Sequence, residues 1–80
     1  MPISPVRFDT AVVGVAVNDD RLLVTLADGR ELAAPLIWFP RLAEATDSQR
    51  QNWRLIGRGQ GIHWPEIDED ISVASLLRAV

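Results

Sequence analysis

Residues 21–34, RLLVTLADGRELAA, restrict the fold more than any other stretch of the chain. Leu22, Val24 and Leu26 alternate with Leu23 and Thr25, the period-2 pattern of a strand that turns one face inward. The break at Asp28-Gly29 is a dipeptide preferred in two-residue type I′ hairpin turns, so Arg30 to Ala34 is read as the returning strand. The valine-rich run Ala11 to Val17 supplies a third strand, joined to the second by Asn18-Asp19-Asp20, residues that tolerate left-handed backbone. The first half is therefore an antiparallel meander, and Gly14 predicts a bulge or a close backbone approach within it.

Pro35 closes the meander and the pattern changes to helical spacing, with Leu36, Phe39 and Ala43, or Trp38, Leu42 and Ala45, recurring together. Pro40 divides this run, because proline suits a first helical turn and disrupts an interior one. A short turn over Leu36 to Phe39 is expected, followed by a helix over Arg41 to Ala45. Thr46 with Gln49 three positions on forms a capping box, predicting a second helix from Asp47 to about Arg54. Trp38, Phe39 and Trp53 are expected as core anchors, since aromatic residues supply most burial in a small domain. Leu55-Ile56 and Ile62-His63-Trp64 have strand character, and the GxGxG between them is read as a tight or bulged turn. It opens no helix and lacks the spacing of a dinucleotide fingerprint. Ser72 is the expected N-cap of a C-terminal helix with Leu76 and Leu77 inward. The predicted architecture is α+β: an antiparallel meander with a further strand, packed against two or three short helices. Residues 1–80 are expected to form one domain with an ordered core over about residues 8–78.

A chain of 80 residues buries only about 60% of the surface its unfolded form exposes, which favours a binding surface over a deep catalytic cleft. The absence of cysteine removes disulfides, thiolate ligands and a cysteine nucleophile. The N-terminal MPISPVRFDT has no signal-peptide pattern, and no stretch approaches the ~20 apolar residues of a membrane span, so a cytoplasmic protein is expected. A net charge of -3 argues against non-specific nucleic-acid binding. The charge is uneven: residues 41–58 sum to +2, with Arg41, Arg50, Arg54 and Arg58, and residues 59–80 sum to -3. Such patches suit a charged partner or a symmetry mate.

The segment GIHWPEIDEDISV, residues 61–73, concentrates the polar chemistry. One histidine and no cysteine fall short of a zinc site, and Asp68-Glu69-Asp70 lacks the alternation and central glycine of an EF-hand loop. Ser72 or Ser75 with His63 and Asp68 has the residue types of a catalytic triad, but no nucleophile-elbow pattern surrounds them. Asp68, Glu69 and Asp70 are read as acids leading into the C-terminal helix, where its dipole favours them. His63 is expected on the opposite sheet face from Ile62 and Trp64, hydrogen-bonded to a neighbour.

LADGREL, PLIWFPRL, ATxxxRxxW and GIHWPEIDEDISV, in this order, resemble the bacterial family known as domain of unknown function 2442. The resemblance runs from about Phe8 to Leu77 and is most specific at Trp38-Phe39-Pro40 and Trp64-Pro65. It implies a small α+β fold and no assigned catalytic residues. It also implies an antitoxin-like member of a two-gene pair, acting by binding a protein and not by touching DNA. Its matching positions are Trp38, Pro40, Arg41, Arg50, Trp53, His63, Trp64, Pro65, Asp68 and Asp70.

The expected function is thus a protein-interaction module, non-enzymatic, homo-oligomeric and without cofactor or metal. Arg41, Arg50, Arg54, Glu66, Asp68, Glu69 and Asp70 are the candidate partner contacts. The competing reading is a small-ligand or metal-binding domain centred on the segment from His63 to Asp70, with His63 and Trp64 as the ligand site.

Overall fold

The structure, a computed structural model, describes residues 8–79; the part of the N-terminal stretch up to Arg7 lies outside the described residues. Two three-stranded antiparallel sheets carry the fold. Sheet A, in the order β1-β2-β3, is built from Val12–Val17, Arg21–Leu26 and Glu31–Pro35. Sheet B, in the order β4-β5-β6, is built from Arg54–Ile56, Gly61–Trp64 and Glu69–Ser72. Between the sheets in sequence lie a 3-10 turn, Leu36–Trp38, and two short helices, α1 (Pro40–Ala43) and α2 (Asp47–Gln51). A third helix, α3 (Val73–Ala79), follows β6 directly. The chain is α+β, as its patterning predicts.

The alternation in β2 does what period-2 patterning requires: Leu22, Val24 and Leu26 are buried and Leu23 faces out. They join Val12, Ala34, Leu36 and Leu42 with Ile62, Trp64, Ile71, Val73 and Leu76 in one core that spans both sheets. The register of β1 on β2 slips between Val12 and Gly14, which is the bulge that Gly14 predicts.

The turn at Asp28-Gly29 differs from expectation. A type I′ turn needs both central residues at positive φ, and only Gly29, at φ 94°, adopts it. The Asp28 side chain is committed elsewhere: it accepts from the Arg30 amide and Nε and from the Asp9 amide, each at 3.0 Å. The loop therefore lengthens, with the Leu26 amide bonded to the Arg30 carbonyl at 2.8 Å. These donors, the Arg30 side chain first, hold the Asp28 carboxyl down at about 2, below its usual 3.8.

The helices follow the sequence signals closely. Pro40 occupies the first turn of α1, and Thr46 and Gln49 form both bonds of the capping box. Helix α2 is shorter than predicted, ending at Gln51, because Arg54 already belongs to β4. Trp53 is half-buried against the core, but Trp38 is 47% exposed, so it is not the anchor expected. Trp64, fully buried, takes that place. The acidic run also differs: Glu69 and Asp70 are strand residues of β6, and α3 has no acid in its first turn. Ile71 explains the difference, since a strand through Glu69–Ser72 buries it beside Ile62. Ser72 caps α3 as predicted, accepting from the Ser75 amide at 3.1 Å.

Two polar devices join the parts. Arg50, 7% exposed, donates from Nε to the Leu42 carbonyl and from Nη2 to the Ala43 carbonyl, both at 3.0 Å, satisfying the C-terminal end of α1. Its Nη1 reaches Asp19 at 2.9 Å, and its own carbonyl accepts from Trp64 Nε1 at 3.0 Å. The second device is the glycine turn between β4 and β5, where Gly57, Arg58 and Gly59 all have positive φ. The Gly59 carbonyl accepts from the Val12 amide at 2.8 Å and the Gln60 carbonyl from the Val73 amide at 2.9 Å, tying sheet A to sheet B and α3.

Gly59→Ala is expected to destabilise the protein by about 1–3 kcal/mol, read by denaturant unfolding, because left-handed backbone is strained for alanine. Its Cβ would also stand 3.0 Å from Ala11 Cβ and the Val12 amide nitrogen. Arg50→Met should cost about 1–3 kcal/mol, because the Ala43 carbonyl loses its Arg50 donor while the Leu42 carbonyl keeps the Ala45 amide, whereas Asp19→Asn, on an exposed carboxylate, should cost under about 1 kcal/mol. For Asp28 the folded value lies below the unfolded one, so its contribution is present above pH 3.8 and is lost as pH falls toward about 2. Thermal melts of wild type and Asp28→Asn should accordingly differ above that range and converge through it.

Candidate functional site: the outer face and open edge of sheet B

Sheet B exposes a face and an edge that the core does not use. Register pairs Arg54 with His63 and His63 with Asp70, so the three stand in one row across β4, β5 and β6. Directly opposed residues share a face, and this one is opposite to that of buried Ile62 and Ile71. His63 Nδ1 donates to the Asp70 Oδ1 carboxylate oxygen. That carboxylate fixes the ring orientation. The sequence predicts a hydrogen-bonded neighbour for His63 without naming it, and the structure makes it Asp70 in place of the Asp68 of the triad pattern. The four-residue turn after Trp64 explains the change, because it brings the chain back in register at Glu69 and Asp70. Asp68 closes that turn at φ 51°, a conformation aspartate tolerates.

The remaining candidates separate into surface and interior. Arg41 is exposed and its Nη1 donates to the Asp68 carbonyl, so the arginine and the acidic run do meet, through backbone. Glu66 is exposed and accepts from Asn52 Nδ2 at 3.2 Å. Glu69 is half-buried, and its Oε1 accepts from the Asp70 amide at 3.0 Å. Arg50 does not present its guanidinium to a partner, because the C-terminal carbonyls of α1 and Asp19 hold it inside. Trp64 is likewise interior, and the proposed ligand pair is reduced to His63. Among the described residues, no group of three or more His, Cys, Asp or Glu is placed to hold a metal ion.

Sequence reasoning identified Leu55 and Ile56 as a strand but missed their exposure, 40% and 45%. They lie on β4, which pairs with β5 on one side and, among the described residues, with no strand on the other. Arg54 precedes them and Arg58 follows in the turn, both exposed, and neither takes part in a salt bridge among the described residues. The opposite edge, β6, is protected by Glu69 and Asp70, as charged edge strands commonly are. An edge carrying apolar side chains between two cations can accept an extended segment by backbone pairing. The signal was in the sequence: RLIGR places two adjacent apolar residues between cations and holds no proline.

No described helix is long and apolar enough to cross a membrane. No curated protein matches the chain. Among solved structures, a crystal structure of a protein of unknown function from Rhodospirillum rubrum ATCC 11170 is similar, with a TM-score of 0.73 and 26% identity. That similarity covers 88% of this chain and 87% of the other. A family model described as protein of unknown function (DUF2442) matches residues 12–80, from β1 through α3. The chain belongs to the DUF2442 family.

Proposed function

We propose that this protein is a small protein-interaction module that captures its partner along the β4 edge of sheet B. The observation that carries this reading is the exposure of Leu55 and Ile56 on an edge strand flanked by Arg54 and Arg58. Exposed apolar residues on an open strand edge are a liability that proteins ordinarily remove, and their retention is explained by a partner that covers them. Backbone pairing would supply affinity, the two isoleucine- and leucine-sized side chains would fill pockets, and the arginines would select a segment bearing carboxylates. His63, Asp70 and Arg54 add a polar border on the adjoining face.

The mode of action in this reading is binding, not catalysis, and the finer role is that of an antitoxin-like or regulatory subunit acting on the product of an adjacent gene in the cytoplasm. Acidic composition supports a protein target over nucleic acid, whose binding is dominated by phosphate neutralisation. Co-expression with the adjacent gene product should give a complex that co-purifies. Ile56→Asp, which places a carboxylate on the open edge, should reduce the retained partner by at least about tenfold while the melting temperature changes little. Failure of the wild-type chains to co-purify, or undiminished capture by Ile56→Asp, would sink the reading.

A further inference from the structure

We propose that the outer face of sheet A is the interface of a two-fold dimer of this chain. This goes beyond the partner reading and uses the other sheet, so either can fail alone. Because Leu22, Val24 and Leu26 point into the core, the opposite parity of each strand forms the outer face. The register places Ala16, Leu23 and Ala33 in a row across all three strands, each exposed. Gly14, Thr25 and Glu31 form the next row on one side of it. Arg21 and Pro35 form the row on the other side. The face thus has an apolar centre with one cation and one anion beyond it in opposite directions along the strands.

This placement makes the face complementary to itself. Consider two copies face to face, related by an axis that lies in the interface, perpendicular to the strands, over the Ala16–Leu23–Ala33 row. Each row then meets the row on the other side of its mate, and the Leu23 side chains meet at the centre. Arg21 of one copy comes over the Thr25 row of the other, one strand away from Glu31. A strand spacing of about 4.8 Å is within reach of an arginine side chain. The contact occurs twice, as an isologous interface demands. Neither Arg21 nor Glu31 takes part in a salt bridge within the described residues.

The two ends of the sheet also expose apolar surface. At the Arg21 end, Ile37 is 81% exposed and an open concavity of about 430 Å³ is lined by Asp20, Arg21, Ala33, Ala34 and Pro35. At the Glu31 end, the bulge leaves Val13 59% exposed. The two-fold axis carries the Val13 end of one copy to the Arg21 end of the other, with Val13 over the β1 edge and the concavity on β2 and β3 beside it. Three strands of about five residues give a face on the order of 300 Å². This is less than the ~800 Å² each partner contributes to a standard interface. Exposed Val13 and Ile37 at the two ends add apolar surface, and a weak, concentration-dependent dimer is expected.

The test is sedimentation velocity of the purified full chain from about 5 to 500 µM, a range that brackets micromolar association. Wild type should pass from monomer to dimer. Leu23→Glu should remain monomeric with a near-native circular dichroism spectrum and melt. Arg21→Glu and Glu31→Arg should each weaken the dimer at least about fivefold, and the double swap Arg21→Glu/Glu31→Arg should restore it, because the swap re-forms opposite charges across the axis. A wild type monomeric throughout, a dimer indifferent to Leu23→Glu, or a double swap no stronger than the single variants would overturn the proposal.

Discussion

The fold depends on the buried guanidinium of Arg50. A helix of four residues, such as α1, cannot satisfy its own C-terminal carbonyls, and it is too short to persist without tertiary support. Arg50 supplies two of the missing donors while its backbone carbonyl receives the Trp64 indole. One residue therefore connects α1, α2, the β1–β2 turn through Asp19, and the centre of sheet B. An arginine suits this task because its planar fork offers several donors in fixed directions. Lysine could make one of these bonds but not the set.

Around that anchor the two sheets have different characters. Sheet A is stabilised by alternation: one face is core and the other is small, apolar and bordered by single charges. Sheet B is short, and its outer row of Arg54, His63 and Asp70 is polar. A chain this small has little interior to spare, so most of its chemistry is displayed on surfaces and edges. That is the physical ground for reading it as a protein that recognises other proteins.

What was legible in the sequence follows from how local each determinant is. The alternation in β2, the capping box at Thr46, the placement of Pro40 and the Ser72 cap all depend on residues within a few positions, and all appear in the structure. Determinants that depend on distant partners were not legible. Arg50 resembles any exposed arginine until the carbonyls of α1 are placed beside it. Trp38 and Trp64 are the same residue type with similar proline-rich surroundings, and only the packing separates the exposed one from the buried one. The acids of β6 looked like a helix start because a solvated strand face and a helix approach both favour carboxylates. The candidate site was half visible: Arg54, His63 and Asp70 were named, but their common row required the register of three strands.

The glycine turn at residues 57–60 also governs the order in which the molecule can assemble. Each hairpin closes over a few residues, whereas the bond from the Val12 amide to the Gly59 carbonyl joins positions on the order of fifty residues apart. Such a closure carries a larger entropy cost than any hairpin and comes late in folding. On a ribosome, the first meander can form while sheet B is still being made, with its inner face waiting for Ile62, Trp64 and Ile71. Native stability therefore arrives with the last quarter of the chain, and a truncated product would expose the apolar inner face of sheet A.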